Sequence, residues 1–308
     1  MGRTGISVSR LCFGALTLSQ LQAALPIEKG AALIRLAMHQ GVNCLDTAEY
    51  YQNYETICAA ETEPEQLRLI TKCYAYDRQG AEESLNKALA QSGRMMIDVM
   101  MLHEQESEWT LRGHSEALDF FVEQKEKGTI KAVGVSTHYV ACAKACADHP
   151  KVDVIEAICN PAGLGIPDGT QDEMNAALAR AHLNGKGIIA MKPLGGGHFS
   201  TNATASLEYA MSLEFIDSIA LGMQTEAEVR LNAAIFNGLP CEPFMESVHR
   251  QPRRLHIADW CIGCGACVHR CANKALSIVN GRACVNTDAC ALCGYCAGAC
   301  KEFCIKVF

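Results

Sequence analysis

The segment Leu67–His103 reads LRLITKCYAYDRQGAEESLNKALAQSGRMMIDVMMLH and contains a complete strand–helix–strand unit. Short runs of apolar and β-branched residues predict strands over Arg68–Lys72 and Asp98–Leu102. Between them, the apolar residues of Ala81–Ala90 recur with the period of a helix. Parallel strands need a crossover connection of this kind, which is usually a helix. The segment therefore predicts two neighbouring parallel strands joined by a helix.

The same alternation extends along the chain on both sides of this unit. Further strands are predicted over Leu11–Ala15, Val42–Asp46, Ala132–Ser136, Val154–Cys159, Gly187–Met191 and Ser218–Leu221, and further helices over Ile27–His39, Ser115–Lys127, Gln171–Asn184 and Glu226–Phe236. Eight strand–helix units within residues 1–238 predict an α/β fold, a (β/α)8 TIM barrel. A doubly wound parallel sheet is the alternative, but the G-x-G-x-x-G turn that normally follows its first strand is absent from the sequence.

Composition limits the classes of partner. The chain has 308 residues, a net charge of −7 and no long basic run, which argues against nucleic acid. The short basic stretch His249–Arg254 is interpreted as a solvated linker rather than a docking site. No run of about 18 apolar residues is present, so neither a membrane span nor a membrane partner is expected. Eight of the 18 cysteines form two tight groups, which favours metal binding in a reducing cytoplasm.

The composition changes after the predicted barrel. Residues 239–254 contain three prolines and lack strong periodicity, so they are predicted to be a linker. The remaining residues, 255–308, are too few to build a good apolar core and need another source of stability. We therefore predict a second, small domain that is stabilised by a bound group.

Two cysteine motifs supply the ligands for that group. CIGCGACVHRC (Cys261–Cys271) and CALCGYCAGAC (Cys290–Cys300) both have the spacing C-x2-C-x2-C-x3-C. In proteins with two [4Fe–4S] clusters, the fourth cysteine of each such run binds the other cluster. The predicted ligand sets are Cys261, Cys264, Cys267 and Cys300 for one cluster, and Cys290, Cys293, Cys296 and Cys271 for the other. Zinc is the alternative, although it seldom uses a compact run of four cysteines twice.

Residues Leu255–Phe308 resemble a bacterial-type ferredoxin through these two motifs. The resemblance implies a small α+β ferredoxin-like iron–sulfur domain with two [4Fe–4S] clusters. The proline that usually follows the fourth cysteine is replaced by Ala272 in one motif and by Lys301 in the other. Two further cysteines, Cys284 and Cys304, lie outside the pattern and are predicted to be free thiols.

Ionisable residues stand where three consecutive predicted strands end. Asp46, Lys72 and His103 close the stretches VNCLD, LRLITK and DVMMLH, and Tyr51 follows in the loop after Asp46. The active sites of TIM barrels lie at the C-terminal ends of the strands, so these four side chains are expected to meet. Each of them alone has an ordinary structural explanation, such as a helix cap or a core histidine, but the four together predict a catalytic site.

The chemistry of these four residues suits proton transfer to a carbonyl oxygen. A phenol is a poor acid at neutral pH, and a neighbouring ammonium group lowers its pKa. We therefore expect Lys72 to lower the pKa of Tyr51, with Asp46 holding the lysine in its charged form. Tyr51 would then donate a proton as the carbonyl carbon accepts hydride, while His103 orients or polarises the oxygen.

The stretches GRTGISVSRLCFG, GVNCLDTAEYYQNYE, ITK, DVMMLH, GTIKAVGVS and IIAMKPLGGG resemble, in this order, the motifs of the aldo-keto reductase family. The resemblance extends to about Asn232 and includes a branch of the family that is fused to a ferredoxin. It implies a (β/α)8 barrel that transfers hydride between a nicotinamide cofactor and a small carbonyl or alcohol substrate. The family's catalytic Asp, Tyr, Lys and His correspond to Asp46, Tyr51, Lys72 and His103.

The resemblance also implies a set of contacts to NADH or NADPH. The predicted cofactor-binding residues are Ser136, Thr137, Glu156, Met191, Lys192 and Asn232. Three of them differ from the usual family residues, which are Asn at Thr137, Gln at Glu156 and Tyr at Met191. Where NADPH-preferring members contact the 2′-phosphate, this chain has Gly222, Met223 and Glu228, and a carboxylate would repel phosphate. NADH is therefore preferred over NADPH.

These observations leave three hypotheses for function. In the first, the barrel reduces or oxidises a carbonyl or alcohol, and the ferredoxin domain exchanges electrons with an external carrier. In the second, a nicotinamide-dependent reductase carries clusters that are structural or sense redox state. In the third, an electron-transfer protein uses a barrel that has lost its activity. Two cysteines have predicted orientations: Cys44 points into the barrel beside Asp46, and Cys73 points outward.

Overall fold

A computed structural model describes residues 1–60, 66–197, 199, 202–249, 254–271, 273–290, 292 and 295–307. Its first part is a closed barrel in which each of eight parallel strands pairs with the next and β8 pairs with β1. The strands are β1 (Leu11–Gly14), β2 (Cys44–Asp46), β3 (Arg68–Cys73), β4 (Ile97–Leu102), β5 (Ile130–Thr137), β6 (Val154–Ile158), β7 (Gly187–Met191) and β8 (Ser218–Gly222). The predicted TIM-like barrel is confirmed, and each predicted strand agrees with the observed one to within two residues at either end.

Helices connect the strands and cover the outside of the barrel. They are α1 (Ile27–His39), α2 (Tyr54–Ala60), α3 (Arg78–Ser92), α4 (Glu108–Gly113), α5 (Ser115–Glu126), α6 (Val140–Asp148), α7 (Gln171–Leu183), α8 (Ala203–Ser212), α9 (Glu226–Phe236) and α10 (Glu242–His249). Side-chain caps fix where several of them begin. The Asp77 carboxylate accepts a hydrogen bond from Gly80 N at 2.8 Å before α3, and Thr170 and Glu173 form a capping box before α7.

Two apolar layers hold the barrel together, because successive residues of a strand point to opposite faces. Cys44, Ile70, Val99 and Met101 belong to the cluster inside the barrel. Cys73 belongs to the outer cluster, between the strands and the helices. The predicted orientations of Cys44 and Cys73 are both confirmed.

The predicted linker, residues 239–254, contains helix α10 over residues 242–249, which packs against α9. Pro243 lies in the first turn of this helix, where the missing N–H of proline costs no helical hydrogen bond. Four further barrel helices, α2, α4, α6 and α8, had no predicted bounds. Helix α6 has the sequence VACAKACAD, in which small residues replace large apolar ones, so its periodicity is weak.

In the C-terminal segment, residues 254–307, the described residues form two small antiparallel sheets and two short helices. Strands β9 (Leu255–Ile257) and β12 (Ile305–Val307) form one sheet, β10 (Leu276–Val279) and β11 (Arg282–Val285) form the other, and the helices are α11 (Ala266–Arg270) and α12 (Tyr295–Gly298). Its first and last strands therefore pair with each other, which brings the two cysteine motifs together. Among the described residues, no helix is long and apolar enough to cross a membrane.

Candidate active site

The ends of β2, β3 and β4 bring Asp46, Lys72 and His103 to the same end of the barrel, which we call the mouth. All three side chains are buried, and Lys72 is only 2% exposed. Tyr51 is half-buried and ends a short 3₁₀ turn in the loop after β2. The structure therefore brings together the four residues that the sequence singled out as catalytic.

Lys72 lies between two carboxylates. Its Nζ atom donates a hydrogen bond to Asp46 Oδ1 and another to Thr47 O, the latter at 2.9 Å. Nζ is also 3.1 Å from Glu156 Oε2, an ion pair without hydrogen-bond geometry. Burial alone would lower the pKa of Lys72, but Asp46 and Glu156 outweigh it and raise that pKa well above its ordinary value. Lys72 is therefore held in its charged form.

The two carboxylates do not have the same acidity. Burial raises the pKa of Asp46, and the opposing charge of Lys72 limits the rise. Burial, followed by the charge of Asp46, raises the pKa of Glu156 to about 7. Glu156 therefore changes its charge near neutral pH, inside the barrel and next to Lys72.

Tyr51 is close to Lys72, but the predicted fall of its pKa is not found. Lys72 Nζ lies 5.7 Å from the centroid of the Tyr51 ring, and its charge does lower the pKa of the phenol. Burial raises that pKa by more, and Asp46 and Glu156 raise it further. The net shift is upward, so Tyr51 stays protonated over the physiological pH range.

His103 is neutral and packed between aromatic rings. Its ring stacks on Tyr74 with 4.6 Å between centroids and meets the edge of Tyr51 at 5.9 Å. Burial and then the charge of Lys72 lower the pKa of His103 well below its ordinary value. Among the described residues, its buried Nδ1 atom has no hydrogen-bond partner. That nitrogen is available to a polar group of a bound molecule.

The residues predicted to contact nicotinamide lie on strands β5, β6 and β7 or directly after them. The Ser136 hydroxyl accepts a hydrogen bond from Glu104 N at 2.9 Å, and Thr137 donates to Gln105 O at 2.6 Å. Both side chains are buried. Met191 is the last residue of β7 and is half-buried, so it can pack against a ring at the mouth.

The residues at the positions that would contact the 2′-phosphate of NADPH lie around the start of α9. The Glu228 carboxylate accepts a hydrogen bond from Gln224 N at 2.7 Å, and the Thr225 hydroxyl caps this helix. Burial raises its pKa. Met223 is buried, and an added Cβ atom at Gly222 would lie 2.2 Å from the Thr17 side chain. Asn232 lies on α9 and is half-buried.

A second group of polar residues at the mouth was not predicted as a unit. Lys192 Nζ lies 3.0 Å from His138 Nε2, which is 4.0 Å from Glu104 Oε1. Tyr74 donates a hydrogen bond to Glu104 Oε2 at 2.5 Å, and its ring is the one that stacks on His103. Tyr74 and Glu104 closely follow Lys72 and His103 in the sequence. This proximity was the signal from which their position at the mouth could have been predicted.

Four of the predicted cluster ligands line one pocket in the C-terminal segment. Cys261, Cys264, Cys267 and Cys300 line this pocket together with Cys304. This cysteine pocket combines three residues of the first motif with the last residue of the second, the set that the sequence assigned to one cluster. Within the described residues, no three His, Cys, Asp or Glu side chains converge closely enough to hold a single metal ion. The predicted ligand Cys293 lies outside the described residues.

The two cysteine motifs end in equivalent hydrogen bonds. Ala275 N donates a hydrogen bond to Cys271 Sγ, and Cys304 N donates one to Cys300 Sγ, both at 3.3 Å. These two pairs are 29 positions apart, the same offset that separates the two motifs. The segment is therefore an internal repeat, with equivalent amide-to-sulfur contacts in its two halves.

Three comparisons relate this chain and its fold to known proteins. The aldo/keto reductase family model matches residues 10–214 of the chain. L-galactose dehydrogenase of Arabidopsis thaliana is 20% identical over 277 residues, which span 76% of this chain and 86% of that protein. An aldo-keto reductase from Bacillus halodurans in its holo form has a TM-score of 0.66 at 15% identity, covering 80% of this chain and 94% of its own. An aldo-keto reductase from Bombyx mori in complex with NADP has a TM-score of 0.59 at 14% identity, covering 81% and 91%.

The barrel and the polar residues at its mouth define an α/β-barrel oxidoreductase. More specifically, the chain belongs to the aldo/keto reductase family. The family match ends at residue 214, so the cysteine-rich segment lies beyond it.

Proposed function

We propose that this oxidoreductase interconverts a small carbonyl compound and its alcohol, with Tyr51 as the proton donor during reduction. The observation that carries this proposal is the buried ion pair of Lys72 and Asp46 beside the Tyr51 ring. Reduction of a carbonyl creates negative charge on its oxygen, and a fixed cation with a nearby proton donor stabilises that charge.

Each of the four residues has a separate role in this proposal. Tyr51, which is protonated at neutral pH, gives its proton to the carbonyl oxygen. The charge of Lys72 favours the resulting phenolate, and Asp46 keeps that charge in position. Neutral His103 can donate a hydrogen bond to the same oxygen from Nδ1 when its proton is on that nitrogen.

In the nicotinamide-dependent form of this reaction, a dinucleotide bound at the mouth would supply or accept hydride. Ser136 fits its amide group, because the serine hydroxyl accepts one hydrogen bond and still has a proton to donate. The carboxylate of Glu156 can accept an amide N–H, and Met191 offers a thioether face to the ring. NADH is preferred over NADPH in this proposal, because Gly222, Met223 and Glu228 offer no cation to a 2′-phosphate.

The C-terminal segment is proposed to bind two [4Fe–4S] clusters, which carry one electron at a time. The cysteine pocket fits such a group. A cluster is several atoms across, so its ligands surround a cavity and do not converge on one point. Backbone amide N–H groups donate hydrogen bonds to the sulfur atoms of Cys261, Cys271 and Cys300, as they do to cluster-binding sulfurs. The second cluster would take Cys290, Cys293, Cys296 and Cys271, of which Cys293 lies outside the described residues.

The two halves are proposed to work together, with the C-terminal segment passing electrons between the barrel and an external carrier in the cytoplasm. Reduction of one carbonyl to one alcohol takes two electrons and two protons, and two one-electron clusters hold two electrons. The alternative is a nicotinamide-dependent reductase with structural or sensing clusters. It is favoured by the residues at the mouth that can still contact a nicotinamide ring and amide.

A redox titration separates the two possibilities. Anaerobic, cluster-loaded protein is reduced chemically, and a panel of small aldehydes and ketones is added without NAD(H), while cluster absorbance is followed. Coupled domains predict that clusters reoxidise as alcohol forms. Reoxidation should be about 10²–10⁴-fold slower in Tyr51→Phe, because the variant lacks the proton donor.

The controls decide between the proposals. Carbonyl reduction that needs NADH and leaves the clusters reduced would favour the alternative. The absence of alcohol from every carbonyl, with and without NADH or NADPH, would contradict the proposed activity. Unchanged turnover in Tyr51→Phe would contradict the role of that residue.

A further inference from the structure

One side chain of the C-terminal segment rests on the mouth of the barrel. Phe303, from the loop before β12, packs against Gly165 in the β6–α7 loop and Gly196 in the β7–α8 loop. A Cβ atom added at Gly165 would lie 2.4 Å from the Phe303 ring, and one added at Gly196 would lie 2.5 Å from it. The two glycines therefore leave room for the ring that any other residue would fill.

The ring also covers a cation of the candidate active site. Lys192 Nζ lies 4.4 Å from the centroid of Phe303, a cation–π contact. Both residues have left-handed backbone conformations, with φ of 53° at Lys192 and 52° at Phe303. Such conformations cost free energy in residues other than glycine and are concentrated at functional sites. The contact thus joins two strained positions, one from each part of the chain.

The internal repeat shows that this contact is particular to one half. Lys274 occupies the position equivalent to Phe303, 29 residues earlier, and has nearly the same φ of 51°. Its side chain is exposed, whereas Phe303 is half-buried against the barrel. The repeat alone therefore requires no aromatic residue here, and the difference lies in what the two loops face.

Phe303 connects the cysteine pocket to the active site by short steps. The amide nitrogen of Cys304, bonded to the carbonyl carbon of Phe303, donates a hydrogen bond to Cys300 Sγ. On the other side, Lys192 contacts His138 at 3.0 Å. Glu104 lies near His138 and accepts a hydrogen bond from Tyr74. The Tyr74 ring in turn stacks on His103.

We propose that Phe303 is a positioning residue that seats the C-terminal segment on Lys192. In this arrangement the cysteine pocket, rather than the second cluster site, faces the active site. Electrons then cross at the contact between Phe303 and Lys192. The proposal rests on the proposed function of the segment. During reduction, two electrons cross one at a time, two protons are taken up, and the carbonyl becomes an alcohol. An external one-electron donor then returns the clusters of the segment to their reduced state.

Two measurements on full-length, cluster-loaded protein test this proposal. Pulse labelling of lysines with an amine-reactive ester, quantified by mass spectrometry, reports how well Lys192 is covered. The rate at which an added carbonyl reoxidises chemically reduced protein reports electron transfer. Phe303→Ala should label Lys192 at least threefold faster and slow reoxidation at least tenfold. Lys274→Ala, the equivalent change in the other half, should alter neither.

Barrel-side variants keep the proposal testable if Phe303→Ala loses iron. Gly196→Ala pushes against the Phe303 ring, whereas an added Cβ atom at Gly197 meets nothing within 4 Å. Both glycines have positive φ, so the pair separates displacement of the ring from backbone strain. Gly196→Ala should uncover Lys192 and slow reoxidation, and Gly197→Ala should do neither.

The outcomes are distinguishable. Equal labelling of Lys192 in wild type and Phe303→Ala would overturn the seating role. Faster labelling with an unchanged reoxidation rate would overturn the electron-transfer role. If wild-type protein is not reoxidised by any carbonyl, the proposed function of the segment fails and the electron-transfer role fails with it. The labelling comparison would then still decide whether Phe303 seats the segment.

Discussion

At the scale of single residues, the position of Glu156 beside Lys72 distinguishes this site. The positive charge of Lys72 is balanced by two carboxylates, Asp46 and Glu156. The charge of Glu156 also raises the pKa of Tyr51. Glu156 itself has a pKa raised to about 7, mainly by burial. The proton on Glu156 therefore adjusts the acidity of Tyr51 within the physiological pH range.

Replacement of Glu156 by Gln should remove this adjustment. We expect the pH profile of kcat/KM in the wild type to show an ionisation near pH 7 that Glu156→Gln lacks. Glu156 binds its proton more tightly in the folded state than in the unfolded state. Stability from this group is therefore present at low pH and is lost as the pH rises from about 4.5 through about 7. The variant should lose less stability over that interval, by about 3 kcal/mol.

Activity and thermal unfolding measured from pH 5 to 8 check both parts of this prediction. Glu123→Gln is a matched control, because Glu123 is a partly exposed carboxylate paired with Arg78 on the outer helices. A pH profile of Glu156→Gln that overlaps that of the wild type would show that Glu156 does not titrate in the active enzyme.

At the scale of elements, two glycines fix the loops around the cysteine pocket. Gly263 lies inside the first cysteine motif with φ of 65°, and an added Cβ atom would lie 2.2 Å from Gly281 O. Gly281 belongs to the Asn280–Gly281 turn between β10 and β11, where both residues have positive φ, as in a type I′ turn. A Cβ atom at Gly281 would meet nothing within 4 Å.

Gly263→Ala should therefore be more damaging than Gly281→Ala. Alanine in a left-handed conformation costs about 1–2 kcal/mol at either position, and only Gly263→Ala adds a clash with backbone. We expect Gly263→Ala to lose iron faster than the wild type, and Gly281→Ala to resemble the wild type more closely. Iron release to a chelator, followed by absorbance, measures both. Equal release rates in the two variants would show that the Gly263–Gly281 contact does not hold the pocket.

At the scale of the whole molecule, the two parts differ in what stabilises them. The barrel has continuous apolar layers on both sides of its strands. The C-terminal segment has a small apolar cluster that includes Leu276, Ala283 and Ile305 together with cysteines. A segment of this size needs stabilisation beyond its apolar core, and a bound metal group can supply it.

Removal of iron should therefore unfold the C-terminal segment and leave the barrel folded. Replacement of Cys261, Cys264 and Cys267 by Ser is expected to raise hydrogen exchange of amides in residues 255–307 to near the unfolded rate. Amides of β3 to β6 should remain protected. Hydrogen exchange with mass spectrometry resolves the two regions, and full protection of the segment without iron would show that these cysteines do not stabilise it.

The sequence by itself determined the barrel, the four residues at its mouth and the spacing of the cysteine motifs. Strand and helix periods can be read from short stretches of sequence. Because the C-terminal ends of neighbouring parallel strands lie at the same edge, the proximity of Asp46, Lys72 and His103 could be predicted. Helices built from small residues, such as α6, could not be found in this way, because their periodicity is weak.

Only the tertiary structure placed Glu156 against Lys72 and Phe303 over Lys192. Both contacts join distant parts of the chain, and they depend on how the barrel closes and where the C-terminal segment rests. The direction of the pKa shift of Tyr51 was decided in the same way. The sequence showed the lysine that lowers this pKa, but the burial and the second carboxylate that outweigh it exist only after folding.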